Sequence, residues 1–96
     1  VVADYINNRI QIFRPNGTFV RKIGGKGSTD GLFSGPICVR FDRNGRMLVV
    51  DSYNARVQGF TFDGNFLFKF GSEGSGEGQF KSPLGLAVDK DNNLYI

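Results

Sequence analysis

Histidine is absent from this 96-residue chain, cysteine occurs once and proline only three times. Without histidine there is no imidazole base for acid–base chemistry and no imidazole metal ligand. A single cysteine, Cys38, excludes an internal disulfide framework and a cysteine-based zinc site. It also favours a reducing, cytoplasmic setting for the parent protein. No apolar run approaches the roughly 18 residues that a membrane-spanning helix needs, which argues against a membrane partner. The opening Val1-Val2-Ala3-Asp4 carries no basic leader of the secretory kind and is expected to lie inside a strand, making the chain a fragment of a larger unit. Charge of one sign is also scarce. Twelve Lys and Arg against nine Asp and Glu give +3, a surplus that permits an anionic partner without requiring one.

What the chain has in quantity is phenylalanine and glycine, ten and fourteen residues respectively. Phe, Val and Ile segments punctuated by Gly and Asn indicate an all-β chain of short strands and tight turns. The strongest signal is an internal repeat. Shifted by 47 residues without a gap, Asp4 falls on Asp51, Asn7 on Asn54, Arg9 on Arg56, Gln11 on Gln58 and Phe13 on Phe60. Gly17, Phe19, Lys22, Gly24, Phe33, Pro36 and Asp42 continue the match onto Gly64, Phe66, Lys69, Gly71, Phe80, Pro83 and Asp89. Roughly 16 of 49 overlapped positions are identical, where about three are expected by chance, and the period suits a propeller blade.

Within one period four strands are expected: Ile37–Asp42, Arg46–Asp51, Arg56–Phe62 and Asn65–Phe70. Turns at Asp42–Gly45 and Asp63-Gly64 join them, with glycine supplying positive φ. Phe60 and Phe62 on one side of their strand, and Val57 and Thr61 on the other, predict a sheet buried on both faces, as radially stacked blades require. Gly59 is expected to mark a bulge or a close backbone approach. The division is a partial blade with its crossing loop over 1–36, a complete blade with its loop over 37–83, and the start of a third over 84–96. Such a unit needs the remaining blades, or self-association, to close a ring.

Asp4-Tyr5-Ile6-Asn7-Asn8-Arg9-Ile10-Gln11-Ile12-Phe13 and Asp51-Ser52-Tyr53-Asn54-Ala55-Arg56-Val57-Gln58 resemble the signature of NHL repeats. The pattern from Phe70 to Asp89, with its Gly-Gln-Phe and Pro steps, resembles the family's connecting segment. Gly24 to Ile96 is most similar to the propellers that close tripartite-motif (TRIM-NHL) proteins, through Gly25–Asp30 and Phe66–Gly71. The resemblance implies four-stranded antiparallel NHL blades in a six-bladed ring at the C-terminus of a larger protein. It also implies that any ubiquitin-ligase activity belongs to a RING domain elsewhere in the parent. Relatives bind single-stranded or stem-loop RNA, or proteins, on one propeller face. An NHL lyase would need histidines that this chain lacks.

The loops Asp4–Arg9 and Asp51–Arg56, with the crossing loops that end at Pro36 and Pro83, are expected to open on that face. There Tyr5 and Tyr53 offer rings for base stacking, worth about 1–3 kcal/mol per base. Asn7, Asn8 and Asn54 offer base-edge contacts, and Arg9, Arg56, Lys26 and Lys81 offer phosphate contacts. The residues that repeat in register, Asn7/Asn54 and Arg9/Arg56, are the better candidates for a structural blade-to-blade role. The non-repeating Tyr5, Asn8, Tyr53 and Lys81 are the better candidates for recognition. Arg40, opposite Ala87 in the repeat, either binds an anion at the channel mouth or serves only as a solvated or paired surface charge. Cys38 reads as a buried, inert thiol.

Other patterns fail on chemistry. Gly25–Thr29 lacks the Gly-Lys-Ser/Thr step of a phosphate loop. Asp89–Asn93 starts like a calcium loop but has Leu94 where glycine belongs. Asn16-Gly17-Thr18 fits a glycan acceptor and matters only in a secreted parent, such as an extracellular sensor propeller. The carboxylates sit on repeating turn positions, with no convergent pair. The expectation is a non-enzymatic module without cofactor or metal. It recognises RNA on one face or, alternatively, serves as a protein-interaction scaffold that recruits ligase substrates or cytoskeletal partners.

Overall fold

The computed structural model describes residues 1–96. Three antiparallel sheets lie side by side. The first is β1 (Val2–Asp4), β2 (Arg9–Phe13) and β3 (Phe19–Ile23), in that order. The second is a complete four-stranded meander of β4 (Pro36–Phe41), β5 (Met47–Asp51), β6 (Arg56–Phe60) and β7 (Phe66–Phe70). Two short strands, β8 (Ser72–Glu73) and β9 (Gln79–Phe80), pair in parallel inside the second crossing loop. β10 (Ala87–Val88) and β11 (Leu94–Tyr95) open the third sheet. The chain is a fragment of a β-propeller, as the repeat implies.

Alternation sends successive residues of a strand to opposite faces, and here both faces are covered. All five residues of β5 are buried. Met47 and Val49 join Phe60, the crossing-loop residue Phe33, and Ile10, Ile12 and Ile23 of the first sheet in one core. Leu48 and Val50 join Cys38, Val57 and Leu86 in a second core on the other face, toward the third sheet. Cys38 is thus a buried thiol. The β6 strand stops at Phe60, two residues earlier than the sequence suggests. The Thr61 amide has already turned to bond Asn65, and Phe62 lies half exposed beneath the Arg21 guanidinium, 5.1 Å from its centroid.

The hairpin turns share one four-residue form, the length expected at Asp42–Gly45 and longer than the Asp63-Gly64 pair expected for the next turn. In each, an amide three residues on bonds back to the first carbonyl: Gly17 to Arg14, Gly45 to Asp42, Gly64 to Thr61 and Asn92 to Asp89. Only that last residue takes positive φ, a type I turn closed by a left-handed residue. The backbone repeats even where the side chains do not. Gly35 and Ser82, Asn8 and Ala55, and Gly45 and Asn92 are left-handed pairs 47 residues apart, beside the glycine pairs 17/64, 24/71 and 31/78.

The β2 and β6 strands carry a bulge at the same place, between Ile12 and Phe13 and between Gly59 and Phe60. Glycine is therefore not needed for the bulge itself. Ile12 faces Arg21 across the sheet, whereas Gly59 faces Phe68, whose ring occupies the space a Cβ would need. Gly59→Ala is expected to lower stability by about 1–3 kcal/mol through this overpacking. Gly85→Ala, with open space around it, is expected to leave stability unchanged or raise it by less than about 1 kcal/mol. Urea denaturation of both variants checks the contrast.

The turns at Asp42 and Asp89 share a carboxylate bonded to two later amides, Asn44 and Arg46 in one, Asp91 and Asn93 in the other. Burial pushes the Asp42 carboxyl up, but the Arg46 amide, the Arg46 guanidinium and the Asn44 amide outweigh it and hold it below its usual value. Asp89 is held low first by the Asn93 amide, against burial, with the Tyr95 hydroxyl assisting. Depressed folded-state values mean stability that is present above the unfolded pKa of about 3.9 and is lost as pH falls through the folded values. The urea midpoint is therefore expected to fall steeply below about pH 4. Asp42→Asn is expected to lower the neutral-pH midpoint and to flatten that fall.

Candidate recognition face

One end of the sheets is organised by a carboxylate. Asp51 ends β5 fully buried, and its Oδ2 accepts from Asn54 Nδ2 at 2.9 Å, Arg56 Nε at 2.8 Å and Gln58 Nε2 at 3.1 Å. Its Oδ1 accepts the Ser34 amide at 2.7 Å. The remaining donors reach outward to the preceding crossing loop. Arg56 holds the carbonyls of Ser28, Thr29 and Leu32, Gln58 also donates to Leu32, and Asn54 donates to Gly27. Gln58 Oε1 in turn accepts the Gly31 amide. No buried side-chain polar atom lacks a partner, so this network is fully satisfied, the condition under which a buried ion pair does not simply penalise folding. Asp4, Asn7, Arg9 and Gln11 repeat the cluster in the first sheet. The hydrogen bond from Arg9 is the first cause of the lowered Asp4 pKa.

The crossing loop so held delivers Ser34 and Gly35 beside the one-turn 3-10 helix Ser52–Asn54. Gly35 donates its amide to Asn8 Oδ1 at 2.8 Å, and its carbonyl accepts from Ser52. It takes φ +66, and a Cβ there would press against both tyrosine rings. Above it Tyr5 and Tyr53 meet edge to face, with centroids 5.8 Å apart and hydroxyls hydrogen-bonded to one another. That bond, then burial, raises the Tyr5 pKa. A cleft of about 360 Å³ on one side is lined by Tyr5, Ile6, Asn8, Lys26, Gly35 and Tyr53. A second of about 380 Å³ on the other side is lined by Tyr53, Glu73, Lys81 and Ser82.

Tyr5, Tyr53 and Lys81 are thus brought to one face, together with Lys26 and Asn8. Asn8, Arg9, Asn54 and Arg56 reach the same end of the sheets with their side chains committed to the fold: Asn8 to Gly35, the other three to the aspartate clamps. Arg40 lies elsewhere. Its strand runs from Pro36, opposite Asp51, to Phe41, opposite Met47. Arg40 therefore stands near the Asp42 turn at the opposite end, exposed and donating only to the Val39 carbonyl. Glu73, Gly35 and Ile6 line the clefts without having been legible as site residues. The tyrosines are 48 residues apart, one out of phase with the repeat. That offset is the single sequence signal that two non-equivalent positions on adjacent blades converge. No group of three or more His, Cys, Asp or Glu is placed to hold a metal ion, and no helix is long and apolar enough to cross a membrane.

Arg56→Ala is expected to cost about 3–5 kcal/mol, because it leaves the Asp51 charge buried without its ion-pair partner. It is also expected to free the crossing loop, so that trypsin cleaves after Lys26 faster than in the parent chain. Denaturation and limited proteolysis followed by mass spectrometry check the two effects.

A family model whose description reads 6-bladed beta-propeller matches residues 28–96. No curated protein matches the chain.

Proposed function

The chain belongs to the DUF5128 family of 6-bladed β-propellers, and on that premise we propose that it is a non-catalytic recognition module taking a segment of a partner protein on the face around Tyr53. The observation that carries this is the commitment of the polar side chains. Arg56, Asn54 and Asn8 are spent on the fold, and Arg9 gives its Nε to Asp4 and lines neither cleft, which leaves Lys26 and Lys81 as the cations of the two clefts. Around them stand exposed apolar groups, Ile6 at 79 % and Tyr53 at 67 % exposure, with Leu84 at 66 % on the segment that follows the second crossing loop. An aromatic anchor with apolar neighbours and few charges is the composition of a protein-binding centre.

The resemblance to tripartite-motif propellers supplies a context: this part selects the target, and a ligase domain elsewhere in the parent acts on it. The buried Cys38 thiol is compatible with a cytoplasmic setting. RNA is the second reading. It is favoured by the exposed Tyr53 ring standing between two lysine-bearing clefts, the arrangement of a base-stacking platform.

The test takes the propeller containing this segment and selects binders from a randomised peptide library and from a pool of single-stranded and hairpin RNA. Peptide binders whose affinity depends weakly on salt, and falls about tenfold or more with Tyr53→Ala, are expected. RNA binders with a steep salt dependence, weakened by Lys26→Ala and Lys81→Ala, would replace the protein reading.

A further inference from the structure

Two clefts flank the Tyr53 ring, and they are the same cleft twice. The 6 residues that line the one beside the second crossing loop are, position for position, the 47-residue equivalents of residues that line the one beside the first. The backbone beneath them repeats as well. Gly35 and Ser82 are both left-handed, as are Asn8 and Ala55. Lys26 forms a parallel bridge to Phe33, and its equivalent Glu73 pairs in parallel with Phe80. The Phe33 carbonyl accepts the Gly27 amide at 2.8 Å, and the Phe80 carbonyl accepts the Gly74 amide at 3.1 Å. Each crossing loop therefore builds its cleft on one fixed backbone arrangement and leaves the side chains free to differ.

The main difference is charge. Lys26 stands where Glu73 stands in the other cleft, and Ser34 where Lys81 stands. The first cleft thus holds one cation and no carboxylate, while the second holds one of each. None of the chain's ion pairs includes Lys26, Glu73 or Lys81, so all three charges are available to a ligand. The bridge from Lys26 to the fully buried Phe33 fixes the backbone that carries the ammonium, which limits the freedom lost when a ligand meets it. A lone cation in a cleft favours an anionic group. Where a carboxylate and an ammonium share a cleft, either sign of ligand charge meets repulsion from one of them. A neutral group that both donates and accepts satisfies the two together.

We propose that this crossing-loop position, Lys26 in one cleft and Glu73 in the next, determines the specificity of the face. The proposal rests on the reading that a segment of a partner protein binds around Tyr53. That segment places an acidic side chain, Asp or Glu, on Lys26 in the first cleft. In the second it places a carboxamide, Asn or Gln, which donates to Glu73 and accepts from Lys81. Tyr53 lines both clefts and is the anchor between the two side chains.

The test selects binders from a randomised peptide library, using the propeller containing this segment and three variants of it. The parent propeller is expected to enrich Asp or Glu at one peptide position and Asn or Gln at a second. Lys26→Glu is expected to turn the first preference to Lys or Arg, and to weaken the parent's best peptide about tenfold. Lys26→Gln is expected to abolish that preference without reversing it. Glu73→Lys is expected to turn the second preference from carboxamide to carboxylate and to leave the first as it was. The urea midpoints of all three are expected to match the parent's, because neither side chain forms an ion pair within the chain. Peptides that lose affinity with Tyr53→Ala, yet keep the same preferences in every variant, overturn the charge selection and leave the peptide-binding reading standing. A library that yields no binder, or none sensitive to Tyr53→Ala, overturns that reading and the selection with it.

Discussion

The buried Asp51 carboxylate, gripped by Arg56, is the interaction on which the rest depends. It ends the second strand of the complete blade and fixes the side chains that leave the third. Through them it holds carbonyls of a loop that belongs to the preceding blade. A charge so deep is costly to desolvate, and the cost is offset because both carboxylate oxygens and all three guanidinium nitrogens find partners. Removing one member therefore disturbs three elements together: the sheet edge, the 3-10 turn that carries Tyr53, and the crossing loop that brings Ser34 and Gly35 under it. The candidate recognition face is placed by the same bonds that join blade to blade.

The blade architecture was legible because the residues that make it are the residues that repeat. Asp, Asn, Arg and Gln recur at offsets of three, five and seven from the aspartate because each donor must reach one carboxylate from its own strand position. Phe33 and Phe80 recur because each lies on a glycine of fixed φ. Sequence reasoning was weaker where partners are backbone atoms. Any residue can present a carbonyl, so nothing in Ser28, Thr29 or Leu32 announces that Arg56 will be consumed there; only the repetition of Arg56 and Asn54 in register pointed to a structural role. The Asp42–Gly45 turn has the length its sequence implies, whereas the turn at Asp63-Gly64 begins two residues earlier, at Thr61. Asp-Gly and Asn-Gly mark where the chain reverses, while the residues before them decide how many positions the reversal uses.

Symmetry-breaking gave the most information about the face. Tyr5 and Tyr53 are not equivalent in the repeat. They meet because the chain places a tyrosine at the second position of one loop and the third position of the next, and neighbouring blades bring those two positions together. Asn8 likewise departs from Ala55, and it uses its amide to hold Gly35 where Ala55, in the same left-handed conformation, has no side chain to do so. A purely repetitive chain would have two similar faces. This one differentiates a single spot at a junction between blades.

The paired phenols set a chemical condition on whatever enters that spot. Two hydroxyls bonded to each other have one O–H committed and one still free, with lone pairs left on both oxygens. A ligand group that only accepts can take the single free hydrogen, and one that only donates can take only lone pairs. A group able to do both, such as a backbone amide or a hydroxyl, can enter between the rings and restore everything it interrupts. A ligand group bound at that spot of the proposed face would therefore be selected there by hydrogen-bonding versatility more than by charge.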